Sequence, residues 1–238
     1  AQWYPRILAA AAGLEGLGLR QGDHLVTALQ NRWEAATLHW ACQVAGIIAT
    51  PLNWRATEED VAWTIADAGA RAVVCEQVSA AAGAAAVAAG LPCVNLDAHG
   101  AGETGFDQLC AGGPGGMAPR ARAEDWSVML YTSGTTSRPK GVPRRHRAER
   151  AAALAHVAQN LYGRGERTLG VMPLYHTMGV RSLIAMSLLG GTFVCLPRFD
   201  VAAALRLIAA EGVTNLYLVP TLYHDMLAHP DFVRTDVS

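Results

Sequence analysis

The sequence predicts an α/β protein made of two parallel, helix-covered α/β subdomains. The first reason is rhythm. Helical patterns alternate with short apolar runs at intervals of about 25 residues, the spacing of a parallel, doubly wound sheet covered on both faces. The second is punctuation, because glycine or proline closes most of these segments. The third is content. Hydrophobic residues make up 51% of the chain, ample for buried cores. Alanine supplies much of that fraction, so many helices must be small-faced and closely packed. No run has the length and apolarity of an integral membrane segment.

In chain order, residues 2–19 read as a helix ending near Gly16 and Gly18, and 23–29 as a strand. A helical pattern over 32–45 carries Trp33, Thr37, Trp40 and Val44 on one side and stops at Gly46. Residues 47–52 form the next apolar run. Thr57-Glu58-Glu59-Asp60 is a capped helix start with acids in the first turn, and Gly69 ends that helix. Residues 72–75 read as a strand, 79–89 as an alanine-rich helix and 92–96 as another strand. The second half repeats the pattern. Strands are expected at 126–130, 168–172, 193–196 and 214–219. Helices are expected at 147–161 and 180–189, then from the Asp200 cap to 210, and from Pro220 to 228.

Residues 98–120 break the rhythm with seven glycines plus Pro114 and Pro119. They read as a linker, dividing the chain into subdomains at 1–120 and 121–238. The literal Gly-x-Gly-x-x-Gly of Gly100, Gly102 and Gly105 reads as accidental. A dinucleotide site needs a helix directly after it, and only 106–110 is available.

Nineteen Lys and Arg against twenty Asp and Glu leave a formal net charge of −1, with no long run of either sign. That balance argues against nucleic acid as a partner. The cluster Arg144-Arg145-His146-Arg147 reads as a solvated helix start. Five cysteines, at 42, 75, 93, 110 and 195, show no metal-ligand spacing. They read as buried free thiols, for which a reducing cytoplasm is the natural compartment.

The stretch that carries chemistry runs from Tyr131 to Gly141: Tyr-Thr-Ser-Gly-Thr-Thr-Ser-Arg-Pro-Lys-Gly. A loop so dense in small hydroxyl residues cannot pack a core. Its backbone amides approach a ligand closely, Thr132, Ser133, Thr135 and Thr136 offer hydroxyls, and Lys140 offers a full charge. That set suits a polyanion with several phosphate oxygens. It is not the P-loop of nucleotide hydrolases, whose second glycine would fall on Pro139. It resembles the phosphate loop of the adenylate-forming ligases, the acyl- and aryl-CoA synthetases. Their Thr-Ser-Gly-Thr-Thr-Gly-x-Pro-Lys-Gly signature is matched at every fixed position except Ser137, which stands where the family has glycine.

A second stretch supports the resemblance. Met172-Pro173-Leu174-Tyr175-His176 follows an expected strand, and ligands of open α/β sheets bind beyond strand carboxyl ends. Taken alone, a histidine after a strand is usually structural. It is similar here to the family's Met-Pro-Leu-x-His segment, whose histidine lines the acyl pocket.

The resemblance implies an N-terminal ligase domain and a two-step reaction. A carboxylate would attack the α-phosphate of ATP to give an acyl-adenylate and pyrophosphate. Coenzyme A would then displace AMP. Thr132, Ser133, Gly134, Thr135, Thr136 and Lys140 would bind the ATP phosphates, with Mg²⁺ bridging phosphate oxygens. His176, Thr177, Met178 and Gly179 would bound the acyl pocket, so Lys140 and His176 are the catalytic candidates. The small-molecule partner is an apolar carboxylic acid, and a homodimer is left open. The family's Tyr-Gly-x-Thr-Glu motif and distal lysine are not in this sequence. The expectation is therefore a piece of a longer enzyme, inactive alone. Two alternatives stay open: an enzyme that loads a carrier-protein thiol, and a non-catalytic nucleotide-binding module. A hydrolase would need a Gly-x-Ser-x-Gly elbow, which is absent.

Overall fold

A computed structural model describes residues 2–98, 104–132 and 138–237. The chain divides into two compact units, one of 1–29 and 33–148, the other of 30–32 and 149–238.

In the first unit, α1 (Trp3–Gly16), β1 (His24–Ala28), α2 (Trp33–Ala45), β2 (Ile48–Leu52), α3 (Glu58–Ala68), β3 (Ala70–Cys75), α4 (Ala80–Ala88) and β4 (Cys93–Asn95) alternate as expected. The short α5 (Phe106–Leu109), β5 (Trp126–Thr132) and β6 (Lys140–Arg145) follow. The strands form one sheet in the order β4-β3-β1-β2-β5-β6. Every pairing is parallel except that of β5 with the edge strand β6.

The period of two along each strand sorts its side chains between two cores. Leu25 of β1 and Ala72 and Val74 of β3 join Leu14 of α1 and Leu38 of α2 on one face. Val26 and Ala28 of β1 and Val73 and Cys75 of β3 join Val61 and Ile65 of α3 and Ala82 and Ala85 of α4 on the other. Both faces are covered, which is why these strands read as nearly continuous apolar runs. The alanines of α4 bring that helix close to the sheet.

α3 begins with a complete capping box. The Asp60 amide donates to Thr57 Oγ1 at 3.2 Å, and the Thr57 amide donates to Asp60 Oδ2 at 3.3 Å. Glu58, Glu59 and Asp60 complement the positive end of the helix dipole.

α6 (His146–Gln159) starts in the first unit and continues in the second. The second unit then holds β7 (Arg167–Gly170), α7 (Thr177–Leu189), β8 (Thr192–Cys195), α8 (Val201–Glu211) and α9 (Pro220–Leu227). β7 and β8 pair in parallel from Arg167↔Thr192 to Gly170↔Cys195. Leu169, Val194, Ala204, Leu205, Ile208, Leu218 and Met226 form its core. Asp200 caps α8 by accepting from the Ala203 amide at 2.8 Å. No described helix of either unit is long and apolar enough to cross a membrane.

Three features differ from the sequence-based expectation. The signature segment was expected between a strand and a helix, at the head of a second subdomain beginning at 121. Instead β5 adds to the first sheet beside β2, β6 pairs back on it, and the division of units falls after Ala148. β6 carries Pro143 and alternates no apolar residues. An edge position tolerates both, because proline's missing donor need not meet a neighbour there. Residues 214–219 were expected as a strand, yet only the single bridge Thr168↔Asn215 forms. Leu216 and Leu218 still pack into the core there without a ladder. Finally, α7 starts at Thr177, before the expected 180.

One buried ionisable group sets a pH limit on the first unit. His39 of α2 is buried with Nε2 unpartnered among the described residues. Burial, and then the proximity of His146, pushes its pKa down to about 4. The folded state therefore favours neutral His39. Its contribution to stability is complete above the ordinary 6.5 and is lost as pH falls toward 4. Chemical denaturation should show a loss of roughly 2 kcal/mol between about pH 7.5 and pH 5 from this group. The pH dependence should shrink by that amount in His39→Leu.

Candidate functional site

The hairpin fixes where the signature segment leaves and rejoins the sheet. Tyr131 pairs with Gly141 and Thr132 with Lys140. Residues directly opposite across an antiparallel pair share a face, so the Thr132 hydroxyl and the Lys140 ammonium flank the same side of the hairpin end. Both are exposed, and among the described residues Lys140 enters no ion pair. Ser133, Gly134, Thr135 and Thr136, with Ser137, lie outside the described residues.

Gly141 packs closely against the side chains of β5. A Cβ there would sit 2.8 Å from Met129 Sδ and 3.2 Å from Tyr131 Cζ. The Met129 and Tyr131 side chains crowd the space that a side chain would take, Met129 most closely. The Tyr131 hydroxyl donates to Asp67 Oδ2 of α3 at 2.7 Å. Burial, then the bond to Asp67, raises the phenol's pKa well above its ordinary value, so it remains a donor at neutral pH. On the other leg, Trp63 Nε1 of α3 donates to the Pro139 carbonyl at 3.3 Å. The Arg138 guanidinium lies over the Trp63 ring, 4.5 Å from its centroid, with Glu59 Oε1 at 3.9 Å from Arg138 Nη2.

In the second unit, residues 171–176 turn from the end of β7 into α7. The His176 amide donates to the Pro173 carbonyl at 2.9 Å. Gly179, in the first turn of α7, lies against this turn: a Cβ would fall 2.2 Å from the Pro173 oxygen and 2.5 Å from the Met172 oxygen. Any side chain there would push the helix off the turn. His176 is the N-cap of α7 with extended backbone, and its ring makes no capping bond. The ring is exposed and stands 4.7 Å from that of Tyr175, and partial desolvation lowers its pKa from the ordinary 6.5. Thr177, Met178 and Gly179 follow as the first helical turn, with Thr177 and Met178 partly exposed.

The residue that holds this turn is Asn31, one of the three residues 30–32 that belong to the second unit. It is 4% exposed. Its Nδ2 donates to the carbonyls of Gly170, Val171 and Met172 at 2.8, 3.2 and 3.0 Å, and its Oδ1 accepts from the Leu174 amide at 3.0 Å. One side-chain amide thus partners the backbone polar groups of the last ladder residue and of the turn after it. Sequence reasoning misses Asn31, since an asparagine after a strand reads as a turn former and its partners lie about 140 positions away. Trp63 and Asp67 were also missed. Their only sequence signal is the spacing of four along α3.

The site residues therefore fall into two groups, Thr132 with Lys140 in the first unit and the 172–179 segment in the second. An exposed cation and hydroxyl at the end of a sheet fit an anionic oxygen ligand. A neutral imidazole beside a tyrosine ring fits a mixed apolar and polar one. Among the described residues no three His, Cys, Asp or Glu side chains stand together as metal ligands.

The fold is a mainly parallel α/β one with flanking helices. The family model for the AMP-binding enzymes matches residues 1–238, and the chain belongs to that family. It is 31% identical to a feruloyl-CoA synthase of Amycolatopsis sp. over 98% of this chain and 46% of the relative. It is 27% identical to the long-chain-fatty-acid–CoA ligase FadD13 of Mycobacterium tuberculosis, over 94% of this chain and 44% of that one. Among solved structures, the inhibitor-bound N-terminal domain of FACL13 from M. tuberculosis superposes with a TM-score of 0.85 at 25% identity, covering 99% of this chain and 59% of that one. ATP-bound MatB from Rhodopseudomonas palustris gives 0.84 at 29% identity, covering 96% and 45%. The chain spans about half the length of the curated relatives it matches.

Replacing Asn31 by alanine should leave four backbone groups without their partner. The expected loss is about 2–4 kcal/mol in the second unit, the range for a broken buried network. Hydrogen exchange checks it locally, because the Leu174 amide should lose its protection.

Proposed function

We propose that this chain is the nucleotide-binding part of an ATP-dependent carboxylic acid–CoA ligase that works through an acyl-adenylate. The observation that carries the reading is the pairing of Thr132 with Lys140 at the ends of the signature segment, in a chain of the AMP-binding family. The names of the relatives, feruloyl-CoA synthase and long-chain-fatty-acid–CoA ligase among them, favour coenzyme A over a carrier-protein thiol as acceptor. The same two names support an apolar acid, aryl or fatty, as the substrate class.

In this reading a carboxylate oxygen bonds to the α-phosphorus of ATP as the α–β bridging bond breaks and pyrophosphate leaves. Both reactants are anions, so the protein's task is to hold them together and offset negative charge. The hydroxyls of Thr132, Ser133, Thr135 and Thr136 and the amides around Gly134 grip the β- and γ-phosphates. Lys140 neutralises charge that builds on the departing pyrophosphate. His176 is neutral at pH 7 and, with Thr177, Met178 and Gly179, bounds the acyl side. In the second step the thiol sulfur of coenzyme A bonds to the carbonyl carbon and AMP departs. Mg²⁺ would travel with the phosphates, and the described residues give it no side-chain cage. Five free cysteines support a reducing cytoplasmic compartment.

Lys140→Ala in the complete enzyme should slow adenylation by about 10²–10³-fold, the usual effect of removing one charge-stabilising group. Thioester formation from preformed adenylate should change far less. Single-turnover kinetics checks the order, and a larger effect on the second step would remove Lys140 from this role. The 238 residues alone should make no thioester, since the sequence lacks the family's Tyr-Gly-x-Thr-Glu motif and distal lysine. ATP–pyrophosphate exchange by the isolated chain would contradict that expectation.

A further inference from the structure

We infer that the stripe Glu59–Trp63–Asp67 of α3 aligns the phosphate-binding hairpin, with Trp63 and Asp67 acting as positioning residues for ATP. This rests on the reading of the hairpin as a nucleotide site. The three residues are spaced by four, which places them in one row along the helix. The core-facing side of α3 is a different row, in which Val61, Thr64 and Ile65 are buried. The stripe is therefore not needed to seat the helix on the sheet.

Its contacts fall on both legs of the hairpin. Asp67 accepts from the Tyr131 hydroxyl, one residue before Thr132. Trp63 donates to the Pro139 carbonyl, one residue before Lys140, and lies under the Arg138 guanidinium. One rigid helix thus fixes the positions from which the Thr132 hydroxyl and the Lys140 ammonium are presented. The placement of Asp67 makes no sense for α3 by itself. It is the penultimate helical residue, where the helix dipole disfavours a carboxylate. The bond to Tyr131 is what gives a carboxylate there a role.

These contacts are largely exposed, so they add little to global stability. Their effect should appear in function instead, because a shift of about 1 Å in a positioned group costs up to roughly 10²-fold. In the complete enzyme, Asp67→Ala, Tyr131→Phe and Trp63→Phe should each raise the KM for ATP by about ten-fold in a pyrophosphate-release assay. The KM for the carboxylic acid and the thermal midpoint should stay as in the unaltered enzyme. Asp67→Asn keeps an acceptor for the Tyr131 hydroxyl and should restore most of the affinity. The double variant Asp67→Ala/Tyr131→Phe should be no worse than either single one.

An unchanged KM for ATP in all three single variants would overturn the inference. So would a joint change in both KM values and the thermal midpoint, which is the mark of a merely structural contact. Lys140→Ala serves as the control for the underlying reading. If it slows adenylation while the α3 variants do nothing, only the positioning role falls. If it too leaves adenylation unchanged, the nucleotide reading of the hairpin falls with it.

Discussion

The antiparallel pairing of β5 with β6 determines what the signature segment can do. In an otherwise parallel sheet, a strand normally hands the chain to a crossover helix that carries it away from the strand's end. Here the chain returns at once, and Thr132 stands opposite Lys140 with Cα atoms about 5 Å apart. A hydroxyl and an ammonium separated by seven residues in sequence are brought to one place by ladder bonds between strands. The pairing is possible only at the sheet's margin, because β6 is polar and carries Pro143. The charges of Lys140, Arg144 and Arg145 also discourage that free edge from pairing with another chain. One strand thus supplies the cation and protects the edge.

Helix α3 shows how a single element serves packing and presentation through its periodicity. Val61 and Ile65 bury against Val26, Val73 and Cys75, and that burial holds the helix on the sheet. The row at 59, 63 and 67 is left to face the hairpin. The capping box at Thr57 and Asp60 strengthens the end nearest Glu59, while Asp67 sits at the opposite end, where nothing local favours it. The two rows obey different rules. Apolar side chains answer to area, polar ones to partners.

Most of the fold was legible because its signals are local. Caps, stopping glycines and apolar periodicity place the longer helices and the seven parallel strands, β1–β5, β7 and β8, within a few residues. What was misread depends on partners that lie far away in sequence. β6 has no apolar alternation, so nothing in residues 140–145 announces a strand. Residues 214–219 have the alternation of a strand, yet one bridge is all they form. The glycine-rich stretch around 98–120 has the composition of a domain boundary but is a long connection within one unit. In fact the chain returns there to extend the same sheet with β5. At the candidate site, motif and spacing single out Thr132, Lys140 and His176. They do not single out Asn31, Trp63 and Asp67, since an ordinary asparagine, tryptophan or aspartate becomes meaningful only through what it touches.

The turn before α7 shows why such long-range partners are used at all. From the last ladder residue, Gly170, onward, the carbonyls of Gly170, Val171 and Met172 and the amide of Leu174 all turn to the Asn31 carboxamide. A buried turn needs donors and an acceptor for them at fixed positions. A carboxamide offers two N–H donors and a carbonyl acceptor on one rigid plane, whereas a hydroxyl has a single donor and an ionised carboxylate has none. With the turn held by Asn31, the helix that follows does not depend on its own cap. A serine or aspartate at position 176 would add about 1 kcal/mol by capping α7. Histidine there makes no such bond, and its ring stays neutral and uncommitted to the helix. The turn is secured from a distance by Asn31, and the ring at position 176 is left exposed in place of a local cap.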